Sequence, residues 1–198
     1  MKTGGTSVTK SDANQRERAK RPYSLTEVDG FLRLAAGQST RARGLRASAL
    51  ICLGAGAGII TGELRHVRGS DIVERSGGVI VAVSGQRARS VPVSERYQQR
   101  LLQAAAFAGD RYVIGGRNPD RRNVTDTLSA TLSTDSSLPR LQAGRLRSTW
   151  LVECAERIGL GVFMQAAGIT CSQRLGDLAA QLPAVSEDEL VAILGATA

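Results

Sequence analysis

Between Asp71 and Val93 the chain changes its rhythm. Ile72-Val73, Gly78-Val79-Ile80-Val81-Ala82-Val83 and Ser90-Val91-Pro92-Val93 are short β-branched runs, parted by Ser76-Gly77 and Ser84-Gly85-Gln86. Runs of this composition between turn residues predict strands joined by tight turns. On both sides the apolar residues recur at helical spacing instead. The pattern predicts an α+β fold, mostly helical, with one small three-stranded antiparallel sheet. No internal repeat is present.

The helical segments carry their own start and stop signals. Ser24 and Glu27 have the spacing of a capping box, Val28, Phe31, Leu32 and Ala35 then share one face, and Gly37 is placed to end the helix. A second helix is expected from about Thr40 to Ala55, burying Leu45, Ala49, Ile51, Cys52 and Leu53. Gly54, Gly56, Gly58 and Gly62 follow. Neither a Lys-Ser/Thr pair nor a preceding strand accompanies them, so a turn between packed helices is expected rather than a phosphate loop. Glu63 to Arg68 read as a short helix. Further helices are expected over 94–107, 124–132, 140–158, 162–167 and 172–182. A second capping box, Ser186 to Glu189, opens a last one with Leu190, Val191, Ile193 and Leu194 on its apolar stripe.

At 198 residues the chain is long enough for one domain with a sizeable core. Residues 22–198 are read as that domain. Residues 1–21 carry Thr, Ser, Gly and charge without apolar period, and read as a disordered basic arm. No apolar run reaches the roughly 18 residues of a membrane span, and no secretory signal is visible. Cys52, Cys154 and Cys171 are odd in number and far apart, and His66 is the only histidine. They read as reduced cysteines of a cytoplasmic protein, with no metal site and no cofactor. The net charge is +8, and in the first 22 residues six basic side chains against two acidic ones supply +4 of it. A polyanion is the partner such a balance favours, and nucleic acid is the first candidate.

Four segments carry a more specific signal. They are Gly58-Ile59-Ile60-Thr61-Gly62-Glu63-Leu64 with Gly69-Ser70-Asp71-Ile72, then Gly85-Gln86-Arg87-Ala88-Arg89-Ser90-Val91-Pro92-Val93, then Gly144-Arg145-Leu146-Arg147-Ser148-Thr149, and Gln165-Ala166-Ala167-Gly168. In order and spacing they resemble the catalytic domain of tyrosine recombinases (phage integrases), over roughly residues 22–182. The resemblance implies that family's fold. It also implies the chemistry to look for: a tyrosine hydroxyl attacking a DNA phosphate, two arginines clamping that phosphate, a lysine general acid and two proton-handling histidines.

By the same resemblance most of that set is absent. Ile60 stands at the first arginine position, Ser84 at the turn lysine, Gly144 at the first histidine and Ile169 at the second. No lysine follows Lys20 and no tyrosine follows Tyr112. Leu175 or Leu178 lies where the nucleophile belongs. Only Arg147 keeps its identity. A chain without a nucleophile has no atom with which to begin the covalent step, so the reading is a catalytically inactive, DNA-binding relative.

The candidate DNA contacts are Arg147, Arg145, Arg87, Arg89, Arg65, Arg68 and Arg174. Each has a plainer alternative. Arg147 either grips a phosphate or pairs with a buried acid such as Glu63; Arg87 and Arg89 either reach DNA or decorate a solvated hairpin. Trp150 reads as core and His66 as a surface polar residue. Arg111, Arg117, Arg121 and Arg122 form a second basic run without aromatics, which argues for a duplex over stacked single strands. The separate N-terminal clamp of recombinases is not seen before Pro22, so affinity is expected to lean on phosphate contacts and the arm. Three functions remain open. The chain is a regulator or accessory factor on duplex DNA, in transcription, recombination or integration. Alternatively it docks on an active recombinase or on itself through the last helix, or it is a residual recombinase working in trans. No membrane or small-molecule substrate is implied.

Overall fold

The computed structural model describes residues 20–85, 87–115, 123–132, 137–157 and 160–167. Helix α1 spans Leu25–Ala36 and forms the expected capping box: the Glu27 amide donates to Ser24 Oγ at 3.2 Å and the Ser24 amide to Glu27 Oε2 at 2.7 Å. Its apolar stripe of Val28, Phe31, Leu32 and Ala35 is buried. The Gly37 amide closes it on the Arg33 carbonyl at 3.0 Å.

Helix α2 spans Arg41–Ile51, capped by Thr40, and does not continue to Ala55 as a regular helix. Its last turn widens into a π-turn, Cys52–Gly56. This turn is crowded from two sides. A Cβ on Gly54 would lie 2.7 Å from Leu146 Cβ, and one on Gly56 would lie 2.8 Å from the Tyr97 ring. Only glycine lets both neighbours approach the backbone this closely, and π-bulges often mark functional sites. Leu45, expected in the core, is only partly buried.

After this turn the chain forms a single helical turn, α3 (Thr61–Leu64), rather than a helix reaching Arg68. A 3₁₀ turn, Gly69–Asp71, leads into β1 (Ile72–Arg75), β2 (Gly78–Val83) and β3 (Arg89–Pro92). The sheet is antiparallel in the order β1-β2-β3, with Ile72 opposite Val81 and Val81 opposite Val91. Val79, Val81 and Val83 alternate along β2 and are buried with Val91 and Val93, so one face of the sheet belongs to the core. The helices that follow are α4 (Glu95–Ala108), α5 (Val124–Thr131), α6 (Ala143–Arg157) and α7 (Leu160–Ala167). The π-turn sits at the centre, touching α2, α4 and α6. Trp150 of α6 is 2% exposed, as a core residue should be.

Residues 1–19 of the arm, Arg117, Arg121, Arg122, Cys171, Arg174 and the helices expected over 172–182 and from Ser186 lie outside the described residues. Among the described residues, no helix is long and apolar enough to cross a membrane.

Candidate nucleic-acid interface

The site is built on the segment from Ala57 to Glu63, which leaves the π-turn and enters α3. Gly58 has φ +58, and its backbone lies against Trp150 so closely that a Cβ would fall 2.1 Å from the ring. This turn aims the Gly58 carbonyl at α6. Arg147 of α6 donates one guanidinium nitrogen to that carbonyl and the other to the Ala167 carbonyl at 2.8 Å, at the end of α7. Arg147 therefore joins three elements at one point and is half-buried.

Glu63 does not pair with Arg147, correcting one of the sequence alternatives. Its partner is Arg89, the first residue of β3. The two form a bidentate ion pair with distances of 2.8 and 2.9 Å, and their side chains are only 10% and 13% exposed. Glu63 Oε2 also accepts from the Ile60 amide at 3.3 Å. Arg89 Nη1 donates to the Arg87 carbonyl at 3.0 Å. One carboxylate thus fixes the start of α3, the base of the β2–β3 hairpin and the neighbourhood of Ile60. Bidentate guanidinium–carboxylate geometry is planar and directional, which is why it can hold two loops in register.

Beside this pair lies a cleft of about 500 Å³, lined in part by Glu63, His66, Arg68, Ser84, Gly85 and Tyr112. Arg68 is exposed on its rim, donating to the Asp110 carbonyl at 2.9 Å and the Tyr112 hydroxyl at 3.1 Å, with its guanidinium 4.7 Å above the Tyr112 ring. Arg65 Nε donates to His66 Nε2 at 2.9 Å, and His66 is exposed as expected. Arg87 is exposed on the hairpin. Arg147, Arg89, Arg65 and Arg68 thus gather around the 57–68 segment, and Arg87 stands on the adjoining hairpin.

Arg145 is placed elsewhere. Two residues along a helix is a rotation of about 200°, so it points away from Arg147. It donates to the Arg21 carbonyl at 2.8 Å and the Pro22 carbonyl at 3.4 Å, and its guanidinium stacks 3.8 Å from the Tyr23 ring centroid. Tyr23 completes a clamp that no local signal in the chain announces. Its amide donates to Thr149 Oγ1 at 2.8 Å, and its hydroxyl donates to the Arg140 carbonyl at 2.7 Å while accepting from the Gln142 amide at 2.9 Å. The entering chain is thereby strapped along the first turns of α6, and Lys20 is laid across Gly144.

Burial shifts two of the three tyrosines away from the phenolate. Burial pushes the Tyr97 phenol up to about 12, and its hydroxyl has no hydrogen-bond partner among the described residues. Burial also raises Tyr23, against lowering by the Gln142 amide and Arg145. An attacking phenol needs the opposite shift or an adjacent base. Tyr112 engages Arg68. Among the described residues no group of His, Cys, Asp and Glu is placed to hold a metal ion.

No protein-family model matches this sequence, and no curated protein matches it either. Solved structures do match its fold. XerA recombinase is similar at 17% identity with a TM-score of 0.59, over 88% of this chain and 62% of that one. The Tn1549 transposon integrase, solved in complex with circular intermediate DNA, is similar at 14% identity and TM-score 0.58, over 89% and 67%. XerH site-specific recombinase, bound to a palindromic difH substrate in a post-cleavage complex, is similar at 12% and 0.58, over 91% and 53%. This chain spans about three fifths of the XerA recombinase chain (62%). The fold is that of a tyrosine recombinase catalytic domain.

Proposed function

We propose that this chain, folded as a tyrosine recombinase catalytic domain, binds duplex DNA through the basic face around the 57–68 segment and does not cut it. It would act as a regulator or accessory factor, in transcription or in recombination. The carrying observation is that Arg147 stands at the junction of the Gly58 turn, α6 and α7, while the sequence has Ile60, Ser84 and Gly144 where the resemblance expects the other reactive groups and no tyrosine after Tyr112. The DNA-bound states of the Tn1549 integrase and XerH support a duplex as the ligand class.

In this reading Arg147, Arg87, Arg65 and Arg68 contact phosphates, and Arg174 is a further candidate. Arg89 holds the hairpin through Glu63, and Arg145 holds the entering chain. Four phosphate contacts imply a salt slope of about −3.6, so affinity should fall roughly 150-fold between 50 and 200 mM monovalent salt. Fluorescence anisotropy with a 30-base-pair duplex across that range tests the binding. No binding even at 50 mM salt would defeat it. A suicide duplex tests the chemistry: no covalent adduct is expected, and a phosphotyrosine-linked product would overturn the inactive reading.

A further inference from the structure

We infer that the cleft beside Arg68 is a nucleotide site, seating one nucleobase with its phosphate on the Arg68 side. It rests on the DNA reading above only for one of two sources of that nucleotide. At about 500 Å³ the cleft falls within the range of small-molecule sites and is larger than a lone phosphate needs. Two of its lining side chains are apolar and buried, Val67 at 3% and Val83 at 6% exposure. A hydrated anion gains nothing from such a floor, whereas a flat ring leaves water by resting on it.

Tyr112 and Arg68 supply the stacking surface. The Arg68 guanidinium lies 4.7 Å from the Tyr112 ring centroid, held by its bonds to the Tyr112 hydroxyl and the Asp110 carbonyl. Its position is thus fixed before any ligand arrives. Arg68 is exposed, and among the described residues no carboxylate pairs with its guanidinium. Nucleobases stack on aromatic rings and on guanidinium planes, and a guanidinium also recognises phosphate. The edges of the cleft offer both senses of hydrogen bond. His66 Nε2 accepts from Arg65 Nε at 2.9 Å, which leaves Nδ1 as the donor of the neutral ring. Asp71 Oδ2 accepts from the Arg68 amide at 2.8 Å, which leaves Oδ1 to accept from a ligand. A flat face, an edge of mixed donors and acceptors and an attached anion together describe a nucleotide. One aromatic ring serves one base; a bound single strand would need successive rings.

Two sources share this chemistry, a base extruded from a bound duplex and a free nucleotide, and the test separates them. One arm compares, by fluorescence anisotropy, a 30-base-pair duplex with the same duplex carrying one unpaired adenine, whose extrusion costs least. Stacking predicts binding of the second at least about fivefold tighter. The other arm titrates the deoxynucleoside 5′-monophosphates by calorimetry; saturation by one of them below about 1 mM marks a free nucleotide as ligand. Ala82→Trp fills the cleft from an exposed position of β2 that lines it, and tryptophan suits a strand. Ser84→Phe, from the next exposed lining position, replaces it if that variant does not fold. The filled cleft should lose both the adenine preference and nucleotide binding, with Tm and intact-duplex affinity unchanged. A preference that survives the filling would overturn the inference, because flexibility of the interrupted duplex would then explain it. Equal binding of both duplexes with no nucleotide binding would overturn it too, while leaving the DNA reading intact. Nucleotide binding without duplex binding would sustain the inference and defeat the DNA reading.

Discussion

Replacing Gly58 with alanine tests the junction on which the site depends. Gly58 has φ +58, a conformation that costs an L-residue roughly 1–2 kcal/mol. The new methyl would also meet Trp150, at 2.1 Å from Cε3, 2.4 Å from Cδ2 and 2.7 Å from Cζ3. These are atoms of a rigid ring that is 2% exposed, so the ring cannot swing into solvent. Overpacking of this kind costs about 1–3 kcal/mol, giving about 2–5 kcal/mol in all. For a chain of this size that corresponds to a fall in Tm of roughly 5–15 °C. Urea unfolding followed by the fluorescence of Trp150, the only tryptophan, reads the loss directly. Gly62→Ala is the internal control, since nothing lies within 4 Å of its added Cβ, and alanine in helix α3 should be neutral or stabilising by up to about 1 kcal/mol. Because the Gly58 carbonyl receives Arg147, Gly58→Ala should weaken duplex binding as well. A Gly58→Ala protein as stable as Gly62→Ala would refute the reasoning.

Other perturbations probe separate contacts. Glu63→Gln leaves the Arg89 guanidinium nearly buried without its counter-charge, and should lower stability by about 3 kcal/mol in chemical denaturation. A change within about 0.5 kcal/mol would show that the pair is not a structural tie. Thr149→Val removes the acceptor of the buried Tyr23 amide and should cost about 1–3 kcal/mol by the same assay, with no effect expected only if the strap is absent. Burial raises Tyr97 from 10.0 and Cys52 from 9.0, each to about 12. Both groups are neutral when protonated and their folded values are the higher ones. Their contribution is therefore fully present below about pH 9 and is lost as pH climbs towards 12. Unfolding midpoints should be flat near pH 8 and fall above pH 9, and Tyr97→Phe should flatten part of that fall; an unchanged alkaline profile in that variant would contradict it.

Much of the framework was legible along the chain because local signals and final structure agree. The Ser24–Glu27 box formed as spaced, β2 buried alternate valines, and Ser94 stands just before α4. The boundaries that moved are those where a neighbour intervened. Leu146 and Tyr97 pack against Gly54 and Gly56 where α2 gives way to a π-turn. A glycine in a helical stretch reads as a weak helix former, and nothing beside it in sequence tells what will pack against it.

The sequence by itself determined the order of helices and strands, the basic balance and the four recombinase-like segments, since periodicity, capping and residue identity act within a few residues. Only the tertiary structure decided what each arginine does. It gave Glu63 to Arg89, 26 residues away, tied Arg147 to carbonyls 89 and 20 residues away, and turned Arg145 towards a strap more than 120 residues earlier. An arginine side chain has a long flexible stem and a fork of donors, so many acceptors suit it equally well in chemistry. Which one it meets is fixed by the backbone positions that core packing sets, and those depend on parts of the chain far from the arginine itself.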